Sequence, residues 1–213
     1  NALRYALEKG GASKDAANAG AANMLTFAAA GPYAENSDVA GFAAALAEVL
    51  TAADTRAKAV VLGAGGGARG VVLALKALGY AEIIVANRTR ARAETLARDL
   101  KVDMADWEER GDALAGADVL INATSFGMTE GGEPLTALDK LPATAIVADI
   151  VYAMRETALV AAARTRGLRA FDGLSMLMHQ AVPAYIAWLG RIAVVDAGLR
   201  AELERAIADG SRR

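Results

Sequence analysis

The residues of this chain with the most specific chemistry are the glycines of one short turn. An apolar run at 60–62 opens into the sequence GAGGG, and an apolar helical pattern follows it. Glycine lets the backbone turn sharply and approach a pyrophosphate, while the small Ala68 lets the following helix pack close to the strand. The N–H groups at the start of that helix would bind the anion. The residues predicted to contact a dinucleotide here are Gly63, Ala64, Gly65, Gly66 and Gly67.

The next predicted strand indicates which dinucleotide binds. Apolar residues 83–86 end in Asn87-Arg88-Thr89, and Arg92 follows on the same helical face as Arg88. A cofactor without a 2′-phosphate favours an acidic residue at this point, which binds the ribose hydroxyls, whereas two guanidinium groups suit a phosphate. We therefore predict NADP rather than NAD, with Asn87, Arg88, Thr89 and Arg92 among its contacts. The alternative is a glycine-rich turn followed by solvated arginines.

Composition excludes several other classes of function. The chain has 213 residues, of which 54% are hydrophobic and 5% aromatic, and its net charge is −2. We expect neither nucleic acid nor a membrane surface as a partner, because the charge is not basic and no apolar run reaches the ~20 residues that span a bilayer. Without cysteine there is no disulfide and no thiolate nucleophile. No signal peptide opens the sequence, so a cytoplasmic protein fits best.

The single histidine narrows the chemistry further. His179 lies in an apolar stretch at 174–189, so we expect a structural or supporting role for it. A zinc site built on several histidines is excluded, and we expect no metal. A serine–histidine–acid triad would have to use His179, and no G-x-S-x-G turn accompanies it.

Strand and helix patterns alternate through most of the chain. This alternation predicts an α/β fold, with a parallel, Rossmann-like doubly wound sheet that helices cover on both faces. Strands are predicted at 59–62, 83–86, 118–122 and 145–149, with helices starting near 68, 89, 110 and 156. Before this region we predict a helix at 2–8, a strand within 21–28, a turn at Gly31-Pro32 and a helix at 41–52. After it, helices are predicted at 175–188 and 196–208.

Five short blocks, taken in their order and spacing, resemble the shikimate dehydrogenase family over nearly the whole chain. They are GAAN at 20–23, ENSDVAGF at 35–42, the glycine turn with ANRT, INAT with Ser125 and GM at 127–128, and DIVY with DGLSMLMHQA at 149–181. The resemblance implies a substrate domain and an NADP domain with the active site between them. It also implies reduction of 3-dehydroshikimate to shikimate by NADPH, a step of aromatic amino-acid biosynthesis on the way to chorismate.

The resemblance also assigns roles to individual residues. Asp38 matches an aspartate that partners a catalytic lysine, although its position before Gly41 alone would favour an Asx-type turn or a helix N-cap. Asn23 and Gln180 match residues that bind the substrate. Tyr152 follows a strand end, where ligands of parallel sheets usually bind, although packing would explain it equally well. Further cofactor contacts are expected at Thr124, Ser125, Ile150, Gly173 and Met176.

The resemblance implies that the substrate domain is incomplete here. We predict an NADP domain at 54–173 and a partial substrate domain at 1–53 and 174–213. The family begins with about sixty further residues that carry the catalytic lysine, whose position falls at or just before Asn1. We therefore expect a truncated chain with weak or no activity by itself, acting on a small-molecule substrate as a monomer or homodimer. The alternatives are a non-catalytic NADP-binding module, a degenerate homologue, or a dehydrogenase of quinate or a pterin.

Overall fold

A small sheet with its helices forms the N-terminal part of the computed structural model, which describes residues 2–127, 133–152 and 156–210. The elements are α1 (Ala2–Lys9), β1 (Gly11–Ala12), α2 (Lys14–Ala19), β2 (Met24–Ala28), β3 (Gly31–Glu35) and α3 (Asp38–Ala47). Strand β3 lies in the middle, antiparallel to β2 and parallel to β1. A small apolar cluster that includes Leu3, Ala6 and Ala34 holds α1 against this sheet.

Two predictions for this part were wrong in detail. The predicted turn at Gly31-Pro32 is the start of β3, because the chain reverses just before it and Gly31 takes a φ of +108°. The helix predicted at 41–52 begins at Asp38 and ends at Ala47. The start of the helix reads as a loop in the sequence, since Asn36, Ser37 and Asp38 are of residue types that favour caps and turns.

The central region forms a parallel sheet of six strands with the order β6-β5-β4-β7-β8-β9. Its elements are β4 (Lys58–Leu62), α4 (Gly66–Ala77), β5 (Glu82–Ala86), α5 (Arg90–Leu100), β6 (Asp103–Ala105), β7 (Val119–Asn122), β8 (Ile146–Asp149), α6 (Ala158–Thr165) and β9 (Arg169–Phe171). Every neighbouring pair is parallel. The strand order reverses at β4, as in doubly wound dinucleotide-binding sheets, so the predicted fold class is confirmed.

The helix predicted near 110 was wrong. The structure has a single 3₁₀ turn there, Asp112–Leu114, because Gly111 precedes it and Gly116, with a φ of +71°, follows it closely. The three-residue strands at both edges of the sheet, β6 and β9, were not predicted. Runs this short do not show a clear hydrophobic period.

Apolar layers cover both faces of the six-stranded sheet. On one face Val61 and Ile121 pack in a cluster with Phe42 of α3 and Val72 of α4. On the other face the neighbouring strand positions pack towards α6 and the loops, in a cluster that includes Val60, Leu62, Leu120, Leu114 and Leu159. This alternation follows from the two-residue period of a strand. Helix α3 therefore joins the small sheet to the large one.

Two helices complete the described chain, α7 (Gly173–Leu189) and α8 (Ala197–Gly210). Helix α7 lies so close to α3 that a Cβ on Gly41 would stand 2.7 Å from Cβ of Gln180. Arg200 of α8 donates hydrogen bonds to Asp172 and to Ser175 Oγ (3.1 Å) at the start of α7. Among the described helices, none has the length and hydropathy needed to cross a bilayer.

Candidate cofactor and substrate site

The carboxyl ends of the central strands meet at one edge of the large sheet. Leu62, the last residue of β4, is in register with Ala86 of β5 and Asn122 of β7. The residues that follow these strands therefore lie side by side. The turn after β4 needs glycine at its first position, because Gly63 has a φ of +121° and a Cβ there would stand 2.5 Å from the carbonyl oxygen of Ala123.

Open space lies in front of the first turn of α4. A Cβ built on Gly65 or on Gly66 would meet no atom within 4 Å, whereas a Cβ on Gly67 would stand 2.7 Å from Cδ1 of Ile150. The N–H groups at this helix start have no partners in the preceding turns of the helix, and they carry its positive dipole end. The space and the donors together fit a pyrophosphate.

A cavity of about 410 Å³ runs from this turn to the ends of β5 and β7. It brings together nine of the predicted cofactor residues: Gly63, Ala64, Gly65, Asn87, Arg88, Thr89, Arg92, Thr124 and Ser125. Arg88 and Arg92 are exposed, and neither side chain forms a hydrogen bond or an ion pair within the described ranges. Two such guanidinium groups can receive a phosphate, so the lining fits a 2′-phosphorylated dinucleotide.

A buried polar network fixes the wall of this cavity after β7. Asn122 Oδ1 accepts hydrogen bonds from the backbone N–H of Thr124 (3.0 Å) and from Thr124 Oγ1 (2.7 Å). Its amide nitrogen donates to Asp149 (3.0 Å), which also accepts from Thr157 Oγ1 (2.8 Å) and from the N–H of Val151 (2.9 Å). Burial raises the pKa of the Asp149 carboxyl, and the hydrogen bonds that it accepts act in the opposite direction. The ends of β7 and β8 are thereby tied together.

A second cavity, of about 170 Å³, borders the same glycine turn at Gly67. Its lining comes from α3, α4, α7 and the segment after β8, and consists of Asp38, Gly67, Ile150, Tyr152, Gly173, Met176, Leu177 and Gln180. The helices approach closely here, since a Cβ on Gly70 would stand 2.7 Å from Cβ of Asp38. The predicted substrate residues Asp38, Tyr152 and Gln180 are thus placed together with the predicted cofactor residues Gly67, Ile150, Gly173 and Met176.

Asp38 is held by the loop that carries GAAN. Its Oδ1 accepts a hydrogen bond from Asn23 Nδ2 (2.8 Å), and its backbone N–H donates to Asn36 Oδ1 (2.9 Å). Asn23 Oδ1 in turn accepts from the N–H of Ser37 (3.0 Å), so Asn23 holds Asp38 at the cavity, although it is not itself among the lining residues. Burial raises the pKa of the Asp38 carboxyl, and the bond from Asn23 partly offsets this. Ser37, not Asp38, occupies the cap position of α3.

The structure also shows the surroundings of His179, the single histidine. His179 Nε2 lies 2.9 Å from Glu48 Oε1 beyond the end of α3, and His179 lines neither of the two cavities. Within the described ranges, no group of three or more His, Cys, Asp or Glu side chains is arranged to hold a metal ion. Met128 of the GM pair lies outside the described residues.

Part of the lining of the larger cavity was not predicted from the sequence. Trp107, Phe126 and Leu135 line it but belong to none of the recognised blocks. Trp107 follows β6, a strand too short to be predicted, and this explains why no signal pointed to it. The Asn122–Asp149 pair was also missed, because these residues are far apart in sequence and meet only through the register of β7 with β8.

Sequence comparison finds known relatives for most of the chain. The model of the family described as shikimate / quinate 5-dehydrogenase matches residues 45–129. A relative from Methylobacterium radiotolerans, named shikimate dehydrogenase (NADP(+)), is 49% identical over 199 residues. The alignment covers 89% of this chain and 68% of that relative. The chain therefore spans about two thirds of the length of the relative that it matches.

Structure comparison gives related results. The crystal structure of shikimate 5-dehydrogenase from Thermus thermophilus in complex with NADP(H) and shikimate has a TM-score of 0.80 and 30% identity, covering 95% of this chain and 74% of that one. Quinate dehydrogenase from Corynebacterium glutamicum in complex with NAD has a TM-score of 0.84 and 28% identity, covering 97% of this chain and 74% of that one. The small sheet, the large sheet and the C-terminal helices thus share one known arrangement.

Proposed function

The chain belongs to the shikimate dehydrogenase family, and we propose that it reduces 3-dehydroshikimate to shikimate with NADPH at the edge of its six-stranded sheet. One observation carries the proposal. Two cavities border the glycine turn at 63–67, one with exposed arginines that suit the cofactor and one with Asp38 and other polar groups that suit a hydroxylated substrate. Hydride transfer needs the two ligands to meet in this way.

The larger cavity is proposed to bind NADP. The start of α4 would receive the pyrophosphate, and Arg88 and Arg92 would pair with the 2′-phosphate. Thr124 and Ser125 would contact the cofactor as it passes β7, and the Asn122 network would keep that wall in place. When bound, the cofactor supplies the hydride that reduces the carbonyl carbon.

The smaller cavity is proposed to hold the ring of the substrate. Asp38, Tyr152 and Gln180 are polar groups that can orient its hydroxyls, while Ile150, Gly173 and Met176 would enclose the region next to the nicotinamide. The alkoxide that forms on reduction must receive a proton. We assign to Asp38 the role of holding and tuning the donor of that proton. Among the described residues, the lining of this cavity includes no lysine.

The two cavities also support the proposed division of the chain. All described residues that line the larger cavity fall within 54–173, the proposed NADP domain. The smaller cavity combines that domain with Asp38 from 1–53 and Gln180 from 174–213, the proposed parts of the substrate domain. The active site would then lie between the domains.

The test uses the protein made from the complete reading frame that contains these 213 residues. Formation of NADPH from NADP⁺ is followed at 340 nm with shikimate and, in parallel, with quinate. We expect turnover with shikimate, and Asp38→Asn should lower kcat by roughly 10²–10⁴-fold, as is typical when acid–base function is lost. NADPH affinity by calorimetry should hardly change, because Asp38 lies outside the larger cavity.

The control variant is Asp209→Asn, which removes a charge from an exposed position of α8 and should leave kcat unchanged. Faster turnover with quinate than with shikimate would identify quinate as the preferred substrate and contradict the proposal. An unchanged kcat in Asp38→Asn would exclude the proposed role of that residue.

A further inference from the structure

Trp107 occupies a position next to Arg88 that the cofactor motifs do not describe. Ala86 of β5 and Ala105 of β6 are paired in register on adjacent parallel strands. Arg88 lies two residues after Ala86, and Trp107 lies two residues after Ala105. The register therefore places both at the same edge of the sheet, on neighbouring strands, although they are far apart in the sequence.

The cavities around Arg88 share this tryptophan. Trp107 lines the 410 Å³ cavity together with Arg88, Arg92 and Thr124. It also lines a neighbouring cavity of about 190 Å³, again with Arg88. Phe126, the other aromatic residue of the larger cavity, does not line the neighbouring one. Trp107 is thus the aromatic residue that lines both cavities together with Arg88.

Arg110 contacts the indole and holds it in place. Its guanidinium carbon lies 4.6 Å from the centre of the Trp107 ring, a cation–π contact. The same guanidinium donates to the carbonyl oxygens of Trp107 (2.7 Å) and Leu135 (3.1 Å). Leu135 is buried and lines the same cavity. A half-buried ring with these contacts is fixed before any ligand arrives, which lowers the entropy lost on binding.

We propose that the indole of Trp107 is the stacking wall for the adenine base of the cofactor. This inference rests on the proposed function, in which Arg88 and Arg92 bind the 2′-phosphate of NADP. The 2′-phosphate and the adenine are attached to the same ribose. If Arg88 and Arg92 hold that phosphate, the base lies within reach of the residues beside them. A planar aromatic surface supported by Leu135 suits a purine, which stacks well on indole and forms no ion pairs.

Fluorescence provides a direct test, because the chain contains two tryptophans, Trp107 and Trp188. The probe is adenosine 2′-monophosphate, which has the base and the 2′-phosphate but no nicotinamide. Its binding to the 213-residue chain should quench tryptophan emission. The quench should persist in Trp188→Phe, whose indole is 62% exposed on α7, and should disappear in Trp107→Phe. Loss of the quench in Trp188→Phe with retention in Trp107→Phe would overturn the proposal.

Calorimetry with the same probe and with NADP⁺ measures the contribution to affinity. Trp107→Ala should weaken both by roughly 5- to 150-fold, the range for loss of one base-stacking contact. Trp107→Phe should change them only a few-fold, because a phenyl ring still stacks. The matched control is Trp188→Ala, which truncates the exposed tryptophan of α7 outside the cavity and should bind the adenosine probe as the unmodified chain does. Phe126→Ala truncates the other aromatic side chain of the cavity and tests whether the base stacks there instead.

The two proposals fail in distinguishable ways. If the unmodified chain binds NADP⁺ but Trp107→Ala binds it equally well, only the role of Trp107 is wrong. A loss in Phe126→Ala instead of Trp107→Ala would move the base to Phe126 and overturn the inference. If the unmodified chain binds neither ligand, the proposed function fails as well. Circular dichroism of Trp107→Ala shows whether a loss of affinity comes from the missing contact or from unfolding. If the alanine variant unfolds, the fluorescence quench measured in Trp107→Phe still tests the proposal.

Discussion

Two carboxylates beside the cofactor turn, the buried Asp149 and the half-buried Asp38, have different surroundings. Asp149 accepts hydrogen bonds from Asn122, Val151 and Thr157, so its oxygens are occupied by groups that hold the ends of two strands. Asp38 borders a cavity and accepts one hydrogen bond in the described structure, from Asn23. Burial raises the pKa of both carboxyls. Asp38 keeps acceptor capacity for a ligand or a proton donor, and Asp149 has a structural role.

A third acidic residue, Asp54, provides a pH-dependent contribution to stability. Arg169 donates to its carboxylate and to the carbonyl oxygens of Val49 (2.9 Å) and Thr144 (2.8 Å), which fixes the connection between α3 and β4. The hydrogen bond from Arg169 is the main reason why the pKa of Asp54 lies well below its ordinary value. A lowered pKa in the folded state stabilises the protein above the unfolded-state pKa, near 3.9, and this is lost as the pH falls.

Asp54→Asn should therefore reduce the free energy of unfolding by about 1 kcal/mol at pH 7. The difference from the unmodified chain should shrink steadily as the pH falls below about 4, because the Asp54 carboxyl of the unfolded state takes up a proton there while the folded state still keeps it ionised. Urea unfolding at several pH values measures it, with Asp209→Asn as a control that should show little difference throughout. A deficit that grew towards acid pH would be inconsistent with the lowered pKa.

At the scale of elements, the turn between β4 and α4 contains glycines of two kinds. Gly63 is required by the fold, since its φ is positive and Ala123 lies against it. Gly65 caps α4 in an extended conformation, with φ of −88° and ψ of −170°, that any residue can adopt, and the space beside it is open. The fold therefore does not require glycine at position 65, whereas a closely bound pyrophosphate does.

Gly65→Ala should leave the free energy of unfolding within about 0.5 kcal/mol of the unmodified value. It should still weaken NADPH binding by about 1–3 kcal/mol, because the new methyl group takes up space that the pyrophosphate needs. Thermal unfolding and calorimetry measure the two effects separately. Gly63→Ala is the comparison variant and should lose stability, by about 2 kcal/mol or more, through strain and the contact with Ala123. Unaltered NADPH affinity in Gly65→Ala would place the pyrophosphate elsewhere.

Some helices and strands could be predicted from the local sequence, and others could not. The four central strands were predicted within a residue or so, because each is a continuous apolar run bounded by turn residues, as strands buried on both faces are. Helix α2 and the strands β1, β3, β6 and β9 were not predicted, since they form through contacts with neighbouring elements that the local pattern does not reveal. Trp107 and the Asn122–Asp149 pair were not predicted as part of the site for the same reason. Register between distant strands brings them into the site.

At the scale of the whole molecule, glycines let the parts of the chain approach closely around the site. Gly70 of α4 lies against Asp38 of α3, and Gly41 of α3 lies against Gln180 of α7. A side chain at either position would force the helices apart and separate Asp38 from the cofactor turn. The larger cavity is formed within 54–173, so cofactor binding can be measured independently of the chemistry in the smaller cavity.

Calorimetry of the 213-residue chain with NADPH and with NADH shows whether its larger cavity selects a 2′-phosphorylated cofactor. Arg88 and Arg92 should favour NADPH by on the order of 2 kcal/mol, roughly 30-fold, through charge-assisted hydrogen bonds to the 2′-phosphate. Arg88→Asp should remove most of this preference, because it replaces an attractive charge with a repulsive one. Tighter binding of NADPH that depends on Arg88 is the predicted result. Equal affinities for the two cofactors in the unmodified chain would contradict it.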